Sequence, residues 1–199
     1  MKKFELTNEF ITNMFGTKLF RIRALVEFGD VEAGELGGYV EKESNLGHDD
    51  NAWVYDNAWV YGDAQVSGDA LVYDNARVYG DAQVSGDARV YGDAQVSGDA
   101  LVYDNAWVYD NAWVYGDARV CGDARVCGNG DYAYAHGFGS VNRTTTFFRL
   151  KDGGVGVRCG CFYGTLAQFR DKIRETHGET KKAQEYLMLA DLMKLRFEK

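Results

Sequence analysis

The chain has 199 residues, is 46% hydrophobic, and carries 22 Lys and Arg against 30 Asp and Glu, a formal net charge of −8. Its length suits one compact domain, or an elongated domain with a small appendage. It holds no apolar run long enough for a membrane span, and its opening, MKKFELTNEFITNMFG, lacks the apolar core of a signal peptide. The expected location is therefore the cytoplasm. Four Cys without a secretory context read as free thiols rather than a disulfide framework.

Residues 1–37 read as an N-terminal cap. LFRIRALVEF at 19–28 has the composition of a strand, and GDVEAGELGG at 29–38 is a turn-rich lead into the central segment. That segment, residues 38–128, obeys a period of six. Val recurs at every sixth position from Val54 to Val126, with Ala two places earlier each time, from Ala52 to Ala124. Six is not a helical period, and an Ala and a Val two apart face one side of a strand. Between them stand Gly-Asp or Asp-Asn pairs, residues that tolerate left-handed backbone and bond their own turns. Each hexad is thus a short strand and a corner. Two looser hexads precede the regular ones, with Val40 and Leu46 at the large position and Gly38 and Ser44 at the small one. The longer gap from Leu46 to Val54 predicts a two-residue bulge at 47–50.

This pattern of an aliphatic residue with a small residue two places earlier resembles the hexapeptide-repeat superfamily. The resemblance implies a mainly β fold, a left-handed parallel β-helix with eighteen residues per coil and about five coils here. FRIRALVEFGDVEAGELGGYVEKESNLGHDDNAWV, and the tail stretch VRCGCFYGTLAQFRDKIRETHGETKKAQEYL, resemble the two ends of hexapeptide-repeat proteins found in bacteria, phages and prophages, a subgroup without an assigned activity. For a phage-encoded chain the expected location is the host cell cytoplasm.

Sorting outward positions by eighteen gives three faces. Trp53, Tyr55, Tyr73, Tyr91, Trp107 and Tyr109 fall on the first; Trp59, Tyr61, Tyr79, Trp113 and Tyr115 fall on the second; the third is mostly polar. Aromatic patches of that extent are larger than a monomer ordinarily leaves in water. The six residues of the first face are the expected homo-oligomer interface, and the superfamily resemblance implies a trimer. The competing expectation is that aromatic ladders only brace neighbouring coils.

Residues 129–199 form a second unit, expected as ββαα. TTTFFRL (144–150) and VGVRCGCF (155–162) read as strands joined by a hairpin at 151–154. Thr165 opens a helix with Gln168 three residues on, a capping box, and Gly178 ends it. A second helix is expected over about 180–197, burying Tyr186, Leu189, Ala190, Met193 and Phe197.

Charge directs the functional reading. Residues 51–128 hold 4 basic and 12 acidic side chains, whereas residues 129–199 hold 12 and 8. Duplex nucleic acid is not an expected partner of the acidic middle, and an anionic ligand belongs at the tail. Ser140, Asn142, Arg143, Thr144, Arg149, Lys151 and Arg158 are the candidate ligand-binding residues, since hydroxyls and guanidinium forks suit phosphate oxygens. Arg149 and Lys151 are expected to share a strand face. No metal site is expected, although Cys159 and Cys161 are placed on one strand face. The superfamily resemblance also implies an acyltransferase using coenzyme A, with a His as general base. His48 or His136 would fill that role, while His177 fits better as a helix C-terminal residue. The favoured expectation is a non-enzymatic binding or scaffold protein without a cofactor. It would hold an anionic small molecule or nucleotide, or a host protein. The third expectation is a purely structural assembly protein.

Overall fold

The computed structural model describes residues 2–138 and 142–198. Three strands open the chain, β1 (Phe4–Thr12), β2 (Lys18–Ala24) and β3 (Leu36–Val40). Two-residue strands then follow at one per hexad, from β4 (Trp53–Val54) to β16 (Arg125–Val126). Val54 pairs in parallel with Val72, Val72 with Val90, Val90 with Val108 and Val108 with Val126. Residues eighteen apart therefore stack on one side of a three-sided β-solenoid of about five turns, as the hexad period predicts. Every Ala and Val of the regular hexads is fully buried, so the interior is a column of small and branched side chains. Burial of each Val contributes roughly 1.5–3 kcal/mol.

The first residue of each corner from Asp56 to Gly122 has positive φ, between 53° and 74°. Glycine occupies that conformation freely, and Asp occupies it where its carboxylate finds a use. Asp74 lies at φ 59°, and its Oδ2 accepts from the N–H of Gly92 in the next coil at 3.0 Å. Gly86 shows why bulk is limited, since a Cβ there would lie 2.9 Å from the backbone nitrogen of Asp104.

The lowest coil departs from the period where the sequence does. Val40 pairs with Val60 and Leu46 bridges to Val66, twenty residues apart, so two extra residues are absorbed between Leu46 and Val54. Asp50, inside this insertion, has φ 58°. β1, β2 and β3 form an antiparallel ribbon, and β3 pairs in parallel with Trp59–Val60 and so extends the second face downward. The cap thus holds a strand, β1, beyond the one its sequence predicts. Lys3 closes the lower end. Its ammonium donates to the carbonyls of Ala52 at 2.8 Å and Asp50 at 3.2 Å and stands over the Phe28 ring. Desolvation lowers its pKa to about 8.

Beyond the solenoid lie β17 (Tyr132–Phe138), β18 (Arg143–Arg149), β19 (Val155–Cys159) and β20 (Phe162–Thr165), which form one antiparallel sheet in that order. The expected pair of strands is therefore four. Tyr132–Phe138, which looks like a decayed repeat, pairs along β18, and Gly160 at φ 59° turns the chain between β19 and β20. Helices α1 (Leu166–His177) and α2 (Lys181–Phe197) complete the unit. Thr165 Oγ1 accepts from the N–H of Gln168, and Gln168 Oε1 accepts from the N–H of Thr165, the expected capping box.

Side-chain alternation on β18 divides the sheet between two cores. Phe148 joins the solenoid core, whereas Phe147 packs with Phe169, Ile173 and Tyr186 beneath the helices. The sheet seals the upper end of the solenoid: Arg119 donates its N–H to Thr146 Oγ1 at 2.9 Å, and Lys151 donates its N–H to Asp123 O at 3.0 Å. Neither helix is long and apolar enough to cross a membrane.

The buried column predicts an asymmetry between adjacent residues. Ala82 is fully buried and Gln83 exposed. Ala82→Leu overpacks the interior by an expected ~1–3 kcal/mol, which lowers the melting temperature by several degrees, while Gln83→Leu leaves it nearly unchanged. Thermal denaturation of the two variants checks this.

Candidate functional site

On the first face Tyr73 stacks on Tyr91 at 4.7 Å and 2°, and Tyr91 on Tyr109 at 5.1 Å and 8°. Tyr61 and Tyr79 repeat the arrangement on the second face at 5.1 Å. Tyr55, Tyr73, Tyr91, Trp107 and Tyr109 are half-buried and open outward. Trp53 does not belong with them. It is fully buried, with Phe4, Phe28 and Tyr55 against its ring, because the N-terminal cap covers the first coil. It is a core residue and is removed from the expected interface.

The candidate ligand residues separate in space. Ser140 lies outside the described residues. Asn142 is exposed at φ 49° in the turn before β18. Thr144 Oγ1 lies 2.9 Å from His136 Nδ1. Arg149 points toward the helices, where it donates to Phe197 O and Gly153 O at 3.0 Å each and approaches Asp131 at 3.9 Å. Its guanidinium fastens the end of α2. Lys151 lies in the turn after β18 and opens, with Arg149, Arg125 and Asp131, on a cleft of about 560 Å³. Arg158 projects from the opposite side of the sheet, over the Tyr103 ring, and donates to Cys161 O at 3.4 Å. Arg143, Arg149 and Arg158 therefore form no single constellation, because strand alternation and the sheet edges send them to different surfaces.

Arg143 alone opens on a cavity of about 260 Å³ between the sheet and the helices. Lys172, Thr176 and His177 of α1 line it, with Cys159, Cys161 and Tyr186. Phe162, Phe169 and Ile173 supply its apolar wall. Its lining holds Arg143, Lys172 and His177 and no carboxylate, and the Lys172 ammonium is paired with Glu175 at 3.0 Å on the same helix. Lys172 and Thr176 are not among the residues that the sequence singled out. Their spacing from Phe169, three and seven residues, is the signal that places them on its side of the helix. Cys159 ends β19 and Cys161 stands in the turn, so the two do not share a strand face. Thr145 donates to Cys159 Sγ at 3.1 Å. No group of three or more metal-ligating side chains occurs among the described residues.

The histidines have distinct surroundings. His48 stacks on Phe4 at 4.5 Å, and its Nδ1 accepts the N–H of Lys3 at 3.2 Å, so it anchors the cap. His136 is exposed, 3.8 Å from Asp117 Oδ2. His177 ends α1 and stacks on Tyr186. Coil arginines are engaged by aromatic rings: Arg77 lies over Trp59 at 4.4 Å and Arg125 over Trp107 at 4.1 Å.

Stacked hexads, closed ends and an appended sheet with two helices define a β-solenoid repeat protein. Residues 52–68, 64–80, 82–98 and 94–110 match the family model described as the YdcK Beta solenoid repeat. The match covers the middle of the solenoid. No curated protein matches the chain.

Burial also sets a pH limit on the fold. It raises the phenols of Tyr103 and Tyr132 far above the usual tyrosine range, and that of Tyr186 to about 12. Unfolded tyrosines ionise near 10, so above that pH the unfolded chain binds fewer protons than the folded one and stability falls. Lys3 acts in the opposite sense, because its folded pKa of about 8 makes stability rise between pH 8 and its unfolded value of 10.5. Denaturant unfolding at pH 8, 9, 10 and 11 is expected to show a shallow rise followed by a loss of about 1 kcal/mol or more above pH 10. Lys3→Met removes the rise and leaves the loss.

Proposed function

We propose that this chain is a non-enzymatic binding protein, a rigid solenoid that presents a C-terminal pocket for a small anionic molecule. The observation that carries the reading is the cavity of Arg143, Lys172 and His177, which no carboxylate lines. A phosphorylated ligand suits it, since guanidinium forks make two-point contacts with phosphate oxygens. The specific form is sequestration of a nucleotide signal of bacterial immunity in a host cytoplasm by a protein of phage or prophage type. Its support is the resemblance of both chain ends to phage and prophage proteins. A host protein is the alternative occupant of the same assembly.

Calorimetry with inorganic phosphate and a panel of linear and cyclic nucleotides tests the pocket. Arg143→Ala is expected to weaken binding tenfold to a hundredfold, the effect of losing a charge-assisted hydrogen bond of about 1.5–3 kcal/mol. Arg77→Ala, whose guanidinium is held over Trp59, leaves affinity unchanged. Equal affinity of wild type and Arg143→Ala for the same ligand would remove the pocket from the reading.

The assembly is proposed to be a trimer, supported by the outward tyrosine ladder on the first face. Light scattering is expected to give three chains of 22.2 kDa per particle, and Tyr73→Asp with Tyr91→Asp to give single chains. A single chain from the unmutated protein would leave the ladders as braces between coils. One observation favours a second reading, a coenzyme A-dependent acyltransferase: His136 stands beside Asp117 and Thr144, as a general base with an orienting carboxylate would. Acetyl-coenzyme A turnover that is lost in His136→Ala decides for it.

A further inference from the structure

The second face ends in an aromatic cleft that has no part in the Arg143 pocket. Along the lower coils of this face the rings cover one another, as Tyr61 covers Tyr79 and Arg77 covers Trp59. Above Trp113 and Tyr115 there is no further coil, and both side chains are left open, 43% and 46% exposed. The appended sheet does not fill the gap. It places Tyr132 and Tyr134 at right angles to Tyr115, at ring separations of 6.3 Å and 6.0 Å. Trp113 lies 5.3 Å from Tyr115, and its indole N–H donates to Ser97 Oγ, which fixes the orientation of its ring. With Asn129 and Arg196 these four aromatics line a cleft of about 850 Å³, within the range of small-molecule sites.

The electrostatics narrow the choice of occupant. Arg196 is the one charged residue of the lining. Its Nη2 donates to Asn129 O at 3.3 Å and Tyr132 O at 3.5 Å, which holds the guanidinium at the cleft wall. Its Nε and Nη1 make no hydrogen bond among the described residues. A cationic ligand would gain from the ring faces but would be repelled by this guanidinium. A planar ring gains the stacking surface, and an anionic substituent on that ring gains the guanidinium. We infer that the Trp113–Tyr115–Arg196 cleft binds a planar heteroaromatic ring bearing an anionic group, the chemistry of a nucleotide.

This inference is independent of the pocket at Arg143, and the two are separable by experiment. The probes are AMP, adenosine, ribose 5-phosphate and inorganic phosphate, each followed by calorimetry and by tryptophan emission on the full chain. AMP is expected to bind and to quench emission, adenosine to bind more weakly, and the two ring-free probes to leave emission unchanged. Trp113→Ala is expected to weaken AMP tenfold to a hundredfold, since stacking on one base is worth about 1–3 kcal/mol. Arg196→Gln is expected to weaken AMP but not adenosine at this cleft, and Arg143→Ala to leave the quenching of emission by AMP unchanged. Trp113 is exposed, so an unchanged melting temperature identifies its loss as a binding effect. In the Arg143→Ala protein, AMP affinity unaffected by adding Trp113→Ala, ribose 5-phosphate quenching emission as AMP does, or no AMP-induced emission change at millimolar concentration would each overturn the inference.

Discussion

Every sixth residue of the solenoid has to carry the chain round a corner with positive φ, and the rest of the molecule depends on that constraint being met without a slip. Gly meets it at most corners and Asp at the others, among them Asp56, Asp74, Asp104 and Asp110. A single corner out of step would rotate every later Val to the wrong side of its strand. With the corners in step, Val stacks on Val and Ala on Ala, and the N–H and C=O groups of one coil pair with those of the next. Gln83 N–H donates to Ala100 O, and Ser85 N–H donates to Val102 O, both at 2.9 Å. Asp56, Asp74 and Asp104 carry a further function, since their carboxylates accept backbone N–H groups eighteen residues on, as Asp104 does from Gly122 at 3.2 Å.

A stack of coils leaves unpaired edges at both ends, and each end is closed by a different device. Below, Lys3 brings an ammonium into a nearly dry site to satisfy the carbonyls of Asp50 and Ala52, and the depressed pKa records the desolvation involved. Above, the sheet of the appended unit lies over the last coil, and Asn129 Oδ1 accepts the free N–H of Trp113 at 2.8 Å. The closure is incomplete on one side of the triangle. There the aromatic ladder of the second face stops with two rings uncovered, while on the other side of the same sheet the helices enclose the basic cavity around Arg143. The aromatic cleft thus arises at the junction between a periodic body and an aperiodic cap, whereas the Arg143 cavity lies wholly within the cap.

The sequence by itself determined what is local or periodic. The solenoid with its two-residue insertion near residue 50, both C-terminal helices and the Thr165–Gln168 capping box followed from period, turn chemistry and capping residues, because each is settled by neighbours within a few positions. It also located the positive charge in the tail. Tertiary structure decided everything that depends on which surfaces meet. It enclosed Trp53 under the cap, although its position in the repeat marks it as outward. It turned Tyr132–Phe138 from an apparent remnant of the repeat into a strand, because β18 offered it a partner. It sent Arg149 to the end of α2 and Arg158 to the Tyr103 side, and left Arg143 with Lys172 and His177, residues from an element some thirty positions away. Periodicity fixes the side of a strand on which a residue lies, but only packing between distant segments fixes what lies against it.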